Sequence, residues 1–119
     1  MRHIRSLMFS VFMCIASLSF ATEENAHNEL IFITSEYCPF CEAWEQDIGS
    51  LYHKTTYAKQ APLRRIDINE VEFELPEIVE DVAGTPTFLI FQNGYEIGRI
   101  EGYQSAEMFF WALSEYIHQ

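Results

Sequence analysis

The spacing of apolar and polar positions changes several times along this chain, and each change marks an element. Leu7 to Phe20 is an almost unbroken apolar run behind the basic start Met1-Arg2-His3-Ile4-Arg5, closing on Ser19-Phe20-Ala21 before the acidic Thr22-Glu23-Glu24. After a polar lead through Asn28, Leu30-Ile31-Phe32-Ile33 is a short apolar run of strand length, the pattern of a strand covered on both faces. From Phe40 the apolar positions Phe40, Ala43, Trp44, Ile48, Leu51 and Tyr52 recur at steps of three and four, which predicts an amphipathic helix with Trp44 in the core. Gly49 weakens its second half. Leu63 to Ile68 alternates as a half-buried strand does, and residues 69–83 mix apolar with acidic positions, Pro76 suiting the first turn of a short helix through Val82. Thr87 to Phe91 and Glu96 to Glu101 flank Gln92-Asn93-Gly94-Tyr95, and Asn-Gly between two strand-like runs predicts a hairpin. Gly102 ends that strand. Ser105 is then the expected N-cap, with Glu107 in the first turn, of a helix burying Phe109, Phe110, Leu113, Tyr116 and Ile117. The order is β-α-β-α-β-β-α, an α/β fold in which a mixed four-stranded sheet is flanked by helices and strand–helix–strand makes a right-handed crossover. Phe109-Phe110-Trp111 could dock a partner, but core packing is the reading preferred.

The N-terminal pattern has the parts of a secretory signal: a basic head, an apolar run short of the roughly 20 residues a spanning helix needs, and a small-x-small end. Residues 1–21 are therefore read as a signal peptide and residues 22–119 as one domain with one modest core. An uncleaved membrane anchor is the alternative, and would be the chain's only contact with a membrane. Cys14 lies inside the apolar run and leaves with it. The chain's formal charge of −11 becomes more negative once Arg2 and Arg5 are removed, which makes nucleic acid and anionic membrane surfaces poor partners. Export places the chain outside the cytoplasm, where disulfides persist.

What chemistry remains is concentrated in Cys38-Pro39-Phe40-Cys41, the only cysteines outside the signal. A pair two residues apart, directly after a strand and at the head of a helix, reads as a redox dithiol. A disulfide closing so short a loop removes little unfolded-state entropy, which argues for chemistry over stapling. Cys38 at the helix start faces unsatisfied N–H groups and the positive end of the helix dipole, so its thiolate is favoured and it is the expected nucleophile. Cys41, on the same side and deeper, attacks the mixed disulfide that Cys38 forms and releases the product. Pro39 fits the first turn. Thr85-Pro86 opens a strand, where proline is unusual, and a cis bond there would let the Thr85 backbone pair with an extended substrate beside Tyr37 and Phe40. The expected site is thus Cys38 and Cys41 as the redox-active disulfide, with Tyr37, Pro39, Phe40, Thr85 and Pro86 binding substrate and no metal or cofactor.

From Glu29 to the C-terminus these features resemble the thioredoxin superfamily: Cys38-Pro-Phe-Cys41 after a strand, Thr85-Pro86 before the next-to-last strand, the Asn93-Gly94 hairpin and the closing helix. Trp44, Ala61-Pro62-Leu63-Arg64-Arg65-Ile66-Asp67, Gly98-Arg99-Ile100-Glu101-Gly102-Tyr103 and Phe109-Phe110-Trp111 give a nearer similarity to the small periplasmic SoxS-type thioredoxins associated with bacterial sulfur-oxidation systems. That likeness implies a periplasmic thiol:disulfide oxidoreductase that reduces a disulfide or oxidised cysteine on a periplasmic partner protein, and the chain is expected to act as a monomer. Electrons would come from a membrane thiol relay, since nicotinamide-linked reductases stay in the cytoplasm. The first strand and helix of a full thioredoxin are expected to be missing. Thioredoxins also carry a buried aspartate six residues before the first active cysteine, and Phe32 stands there, leaving Glu36, Arg65 or a water to assist Cys41. Pro-Phe between the cysteines is most like the Pro-Tyr of glutaredoxins, implying an intermediate potential.

Other functions use the same residues. The pair could run as a disulfide oxidase or isomerase, direction being set by relative potentials. Two thiolates could hold Cu(I), whereas zinc needs two more ligands and His27, His53 and His118 stand apart. A non-catalytic binding module is the third alternative.

Overall fold

The computed structural model describes residues 27–75 and 82–118. The signal at residues 1–21 and most of the helix expected from Pro76 lie outside them. β1 (Asn28–Thr34) runs parallel to β2 (Leu63–Asp67) and antiparallel to β3 (Thr87–Gln92), which pairs with β4 (Tyr95–Glu101), so the sheet order is β2-β1-β3-β4. The mixed sheet expected from the sequence is thus formed, with β1 and β3 central and covered on both sides. Asn93 and Gly94 both take positive φ, +52° and +84°, as the tight hairpin turn requires.

Alternation along the strands sends two sets of side chains to opposite faces. Leu30, Phe32, Phe88 and Ile90 meet α1 (Pro39–Trp44), α2 (Thr56–Gln60) and α4 (Ala106–Ser114). Ile31, Ile33, Ile66, Leu89 and Phe91 meet Val71 and Leu75 around α3 (Val71–Glu74). The first face is built on aromatic rings. Phe32 stacks on Phe88 at 4.9 Å between centroids, and Trp44 lies 4.6 Å from Phe32, 5.0 Å from Phe88 and 5.7 Å from Phe109. Such offset and edge contacts add to the burial these rings already contribute.

The helix expected over residues 40–52 is not one regular helix. α1 passes into a wider π-helical turn over Glu45–Gly49 and then a 3₁₀ turn over Tyr52–Lys54. Packing explains the change. A Cβ at Gly49 would sit 2.1 Å from Glu45 Oε2 and 2.9 Å from Trp44 Cζ3, so glycine is what lets the turn close against the buried tryptophan. α2 was not expected; Thr55 begins it, its Oγ1 accepting from the Ala58 amide and donating to the Tyr52 carbonyl. Tyr52 is buried with its hydroxyl donating to Ala61 O at 2.7 Å, and burial pushes its ionisation well above the ordinary value. At the start of α4, Ser105 Oγ accepts from the Met108 amide as expected, and Phe109 and Leu113 of α4, with Ile117 just beyond its end, are core. Tyr116 is not: it lies across Gly98, partly exposed, where any Cβ would strike its ring.

Candidate active site

The dithiol sits where β1 ends and α1 begins. Cys38 is the N-cap of α1 in extended conformation, Pro39 occupies the first turn, and the Cys41 amide donates to Cys38 Sγ at 3.2 Å. A sulfur in that place accepts an otherwise orphaned helix N–H and feels the positive end of the helix dipole, which favours its thiolate. The pair is joined as a disulfide with Cα atoms 5.2 Å apart. Both residues are buried, Cys41 the more deeply at 3 % exposure against 6 % for Cys38. Tyr37 and Phe40 stand outward on either side, 96 % and 62 % exposed. Tyr37 reaches this position through a left-handed backbone, φ +57°, and Pro39 is exposed beside it.

The Thr85–Pro86 bond is cis, as expected from the sequence. The connection to the dithiol loop is a hydrogen bond between Ser35 and Thr85 hydroxyls at 2.6 Å. Ser35 escaped the sequence reading because serine before a turn is too common to single out; only the fold brings it to Thr85. Pro86 is buried, its carbonyl accepting from the Gly102 amide at 2.9 Å, while Thr87 Oγ1 donates to Gly84 O at 2.6 Å. Among the described residues the Thr85 backbone makes no hydrogen bond, leaving its N–H and C=O for an incoming strand. A cavity of about 250 Å³ lies here, lined by residues 83–87 with Glu101 and Gly102.

Neither side chain named for assisting Cys41 is placed as an evident base. Glu36 points to solvent, and Arg65 is held by both carboxylate oxygens of Glu45 at 2.6 and 2.8 Å. Phe32 is fully buried in the aromatic stack, so no carboxylate occupies that position. Tyr103 Oη donates to Asp47 Oδ2 at 2.7 Å, and burial, then this bond, pushes Tyr103 up to about 12. Among the described residues no three His, Cys, Asp or Glu side chains converge as a metal-binding group.

Residues 16–117 match the family model of the thioredoxin-like domain. The chain belongs to the thioredoxin-like family. Its structure is similar to the periplasmic thioredoxin SoxS from Paracoccus pantotrophus in reduced form, with 27 % identity and a TM-score of 0.67 over 74 % of this chain and 93 % of that one. Thioredoxins from Malassezia sympodialis (20 % identity, TM-score 0.56, covering 76 % of this chain and 77 % of that one) and Halobacterium salinarum (a mutant form; 20 % identity, TM-score 0.58, covering 78 % and 77 %) share the fold. No curated protein matches the chain significantly. With a thioredoxin-like sheet carrying a Cys-x-x-Cys pair at its helix head, the protein is a thiol:disulfide oxidoreductase.

Proposed function

We propose that this thioredoxin-like protein is a periplasmic reductase that acts, as a monomer, on a disulfide or oxidised cysteine of a partner protein. The observation that carries the reading is Cys38 at the head of α1, its sulfur receiving the Cys41 amide, together with the open backbone of Thr85. The periplasmic setting is supported by the similarity to SoxS, itself a periplasmic thioredoxin, and by the export pattern of residues 1–21.

In the reduced protein the Cys38 thiolate attacks one sulfur of a client disulfide. One S–S bond forms between Cys38 and the client, the client's own S–S bond breaks, and its second sulfur leaves as a thiolate that takes a proton from solvent. Cys41, on losing its proton, then attacks Cys38 Sγ, breaking the mixed disulfide and releasing the client's first sulfur as thiolate. Two electrons have passed from the dithiol to the client, and Cys38–Cys41 is a disulfide. An external dithiol of the membrane thiol-relay class restores it. Thr85 aligns the client by main-chain pairing, Pro86 and Pro39 shape the groove, and Tyr37 and Phe40 cover it from the sides.

Tyr37 supports the assignment independently. A non-glycine residue with positive φ and a solvent-facing ring gains little by packing, and such outliers concentrate at functional sites. The test is capture: Cys41→Ser in a periplasmic extract should accumulate mixed disulfides through Cys38 that dithiothreitol releases, and Cys38→Ser should accumulate none. Equal capture by both variants, or none by either, contradicts the reading.

A further inference from the structure

Resting on the reductase reading, we propose that the thioredoxin-like groove continues past Pro86 into a second subsite on α4, which takes a bulky apolar side chain of the client close in sequence to its oxidised cysteine. The cavity at Thr85-Pro86 does not end at the strand. Glu101 and Gly102 line it from one side and line a second cavity, of about 150 Å³, from the other. The second is walled by Ile100, Tyr103, Met108 and Trp111 and is predominantly apolar. A void of that size has room for a benzene-sized group.

Three features make this a built surface. Gly102, which has no side chain, lines both cavities, and a Cβ there would meet nothing within 4 Å. Its backbone is fixed by the hydrogen bond to Pro86 O, and the Tyr103 wall is fixed by its hydroxyl on Asp47. Met108 and Trp111, 54 % and 67 % exposed, stand together on the wall of this one cavity rather than scattered over the surface. Phe109-Phe110-Trp111 accordingly divides: Phe109 is core, Phe110 stacks on Tyr57, and Trp111 faces the cavity. Tryptophan beside a pocket is a common anchor for binding energy. The occupant is a client side chain because the cavity shares Glu101 and Gly102 with the one at Thr85-Pro86, where the client strand is laid. It contributes specificity and takes no part in thiol exchange.

The experiment uses the reduced full chain and synthetic extended peptides, each holding one cysteine as a mixed disulfide with thionitrobenzoate. Cys38 attacks the peptide sulfur, and the released thionitrobenzoate thiolate is followed by absorbance. A single Phe is walked through the positions on either side of the cysteine, against Ser. One position should react faster by about tenfold, the effect of largely burying one apolar side chain. Trp111→Ser should bring the Phe-to-Ser ratio at that position close to one. Ala112→Met, which fills the cavity from its lining while keeping the Trp111 ring, should do the same. A flat profile with Phe, or a ratio that survives both variants, overturns the subsite. Wild-type protein that reacts with glutathione disulfide but shows the flat profile fails the subsite alone. Wild-type protein that reacts with neither glutathione disulfide nor any peptide fails the reductase reading and the subsite together.

Discussion

Tyr37 holds a left-handed backbone at φ +57° and leaves its ring 96 % exposed. The conformation costs an L-residue roughly 1–2 kcal/mol, which glycine escapes, although glycine also loses more entropy on folding. Tyr37→Gly is therefore expected to leave the urea midpoint unchanged or raised while slowing reduction of a protein disulfide several-fold. A large loss of stability with full activity would make Tyr37 structural. Tyr103 gives a different test. Its folded-state value, raised from 10.0 to about 12 by burial and then by Asp47, exceeds that of the unfolded chain. The neutral phenol thus stabilises the fold fully below pH 10, and that stability is lost as pH rises through about 12. Thermal midpoints should fall over this window, and Tyr103→Phe should flatten the fall, leaving the share due to Tyr52.

At the scale of elements, periodicity revealed what local patterning controls. The apolar run of β1, the alternation of β2, the Asn93-Gly94 hairpin and the Ser105 cap all form where the sequence places them, because each is set by local chemistry. The departures are where packing overrides it. Gly49 reads as a weak point in a helix; in the fold it makes room for Trp44 and Glu45 in a π-helical turn. α2 is five residues long, too short for a periodic signal, and depends on Thr55 and burial of Tyr57. The dithiol and Thr85-Pro86 were legible because their residue types are rare in such positions. Ser35 was not, since its role is a contact across the sheet end. Gly49→Ala should push the Glu45 carboxylate off Arg65 and press on Trp44, lowering stability by about 1–3 kcal/mol, as overpacking does. Chemical denaturation measures this, and an unchanged midpoint would mean the turn yields freely.

Over the whole molecule, a net charge of −11 on 119 residues sets carboxylates against one another, and Arg64 and Arg65 are both occupied by ion pairs. These pairs are largely exposed and contribute little each, so screening the net repulsion should outweigh weakening them. Added sodium chloride is expected to raise the thermal midpoint; a steady decrease would show that the ion pairs dominate. The central claim is that Cys38 and Cys41 form a redox couple used to reduce clients. Its most direct test is the reduction potential of the pair, measured by equilibration against glutathione. A reversible two-electron couple between roughly −200 and −270 mV, the glutaredoxin-to-thioredoxin range, is expected. A value near roughly −120 mV would make the protein an oxidant, and the absence of any reversible couple would contradict the account altogether.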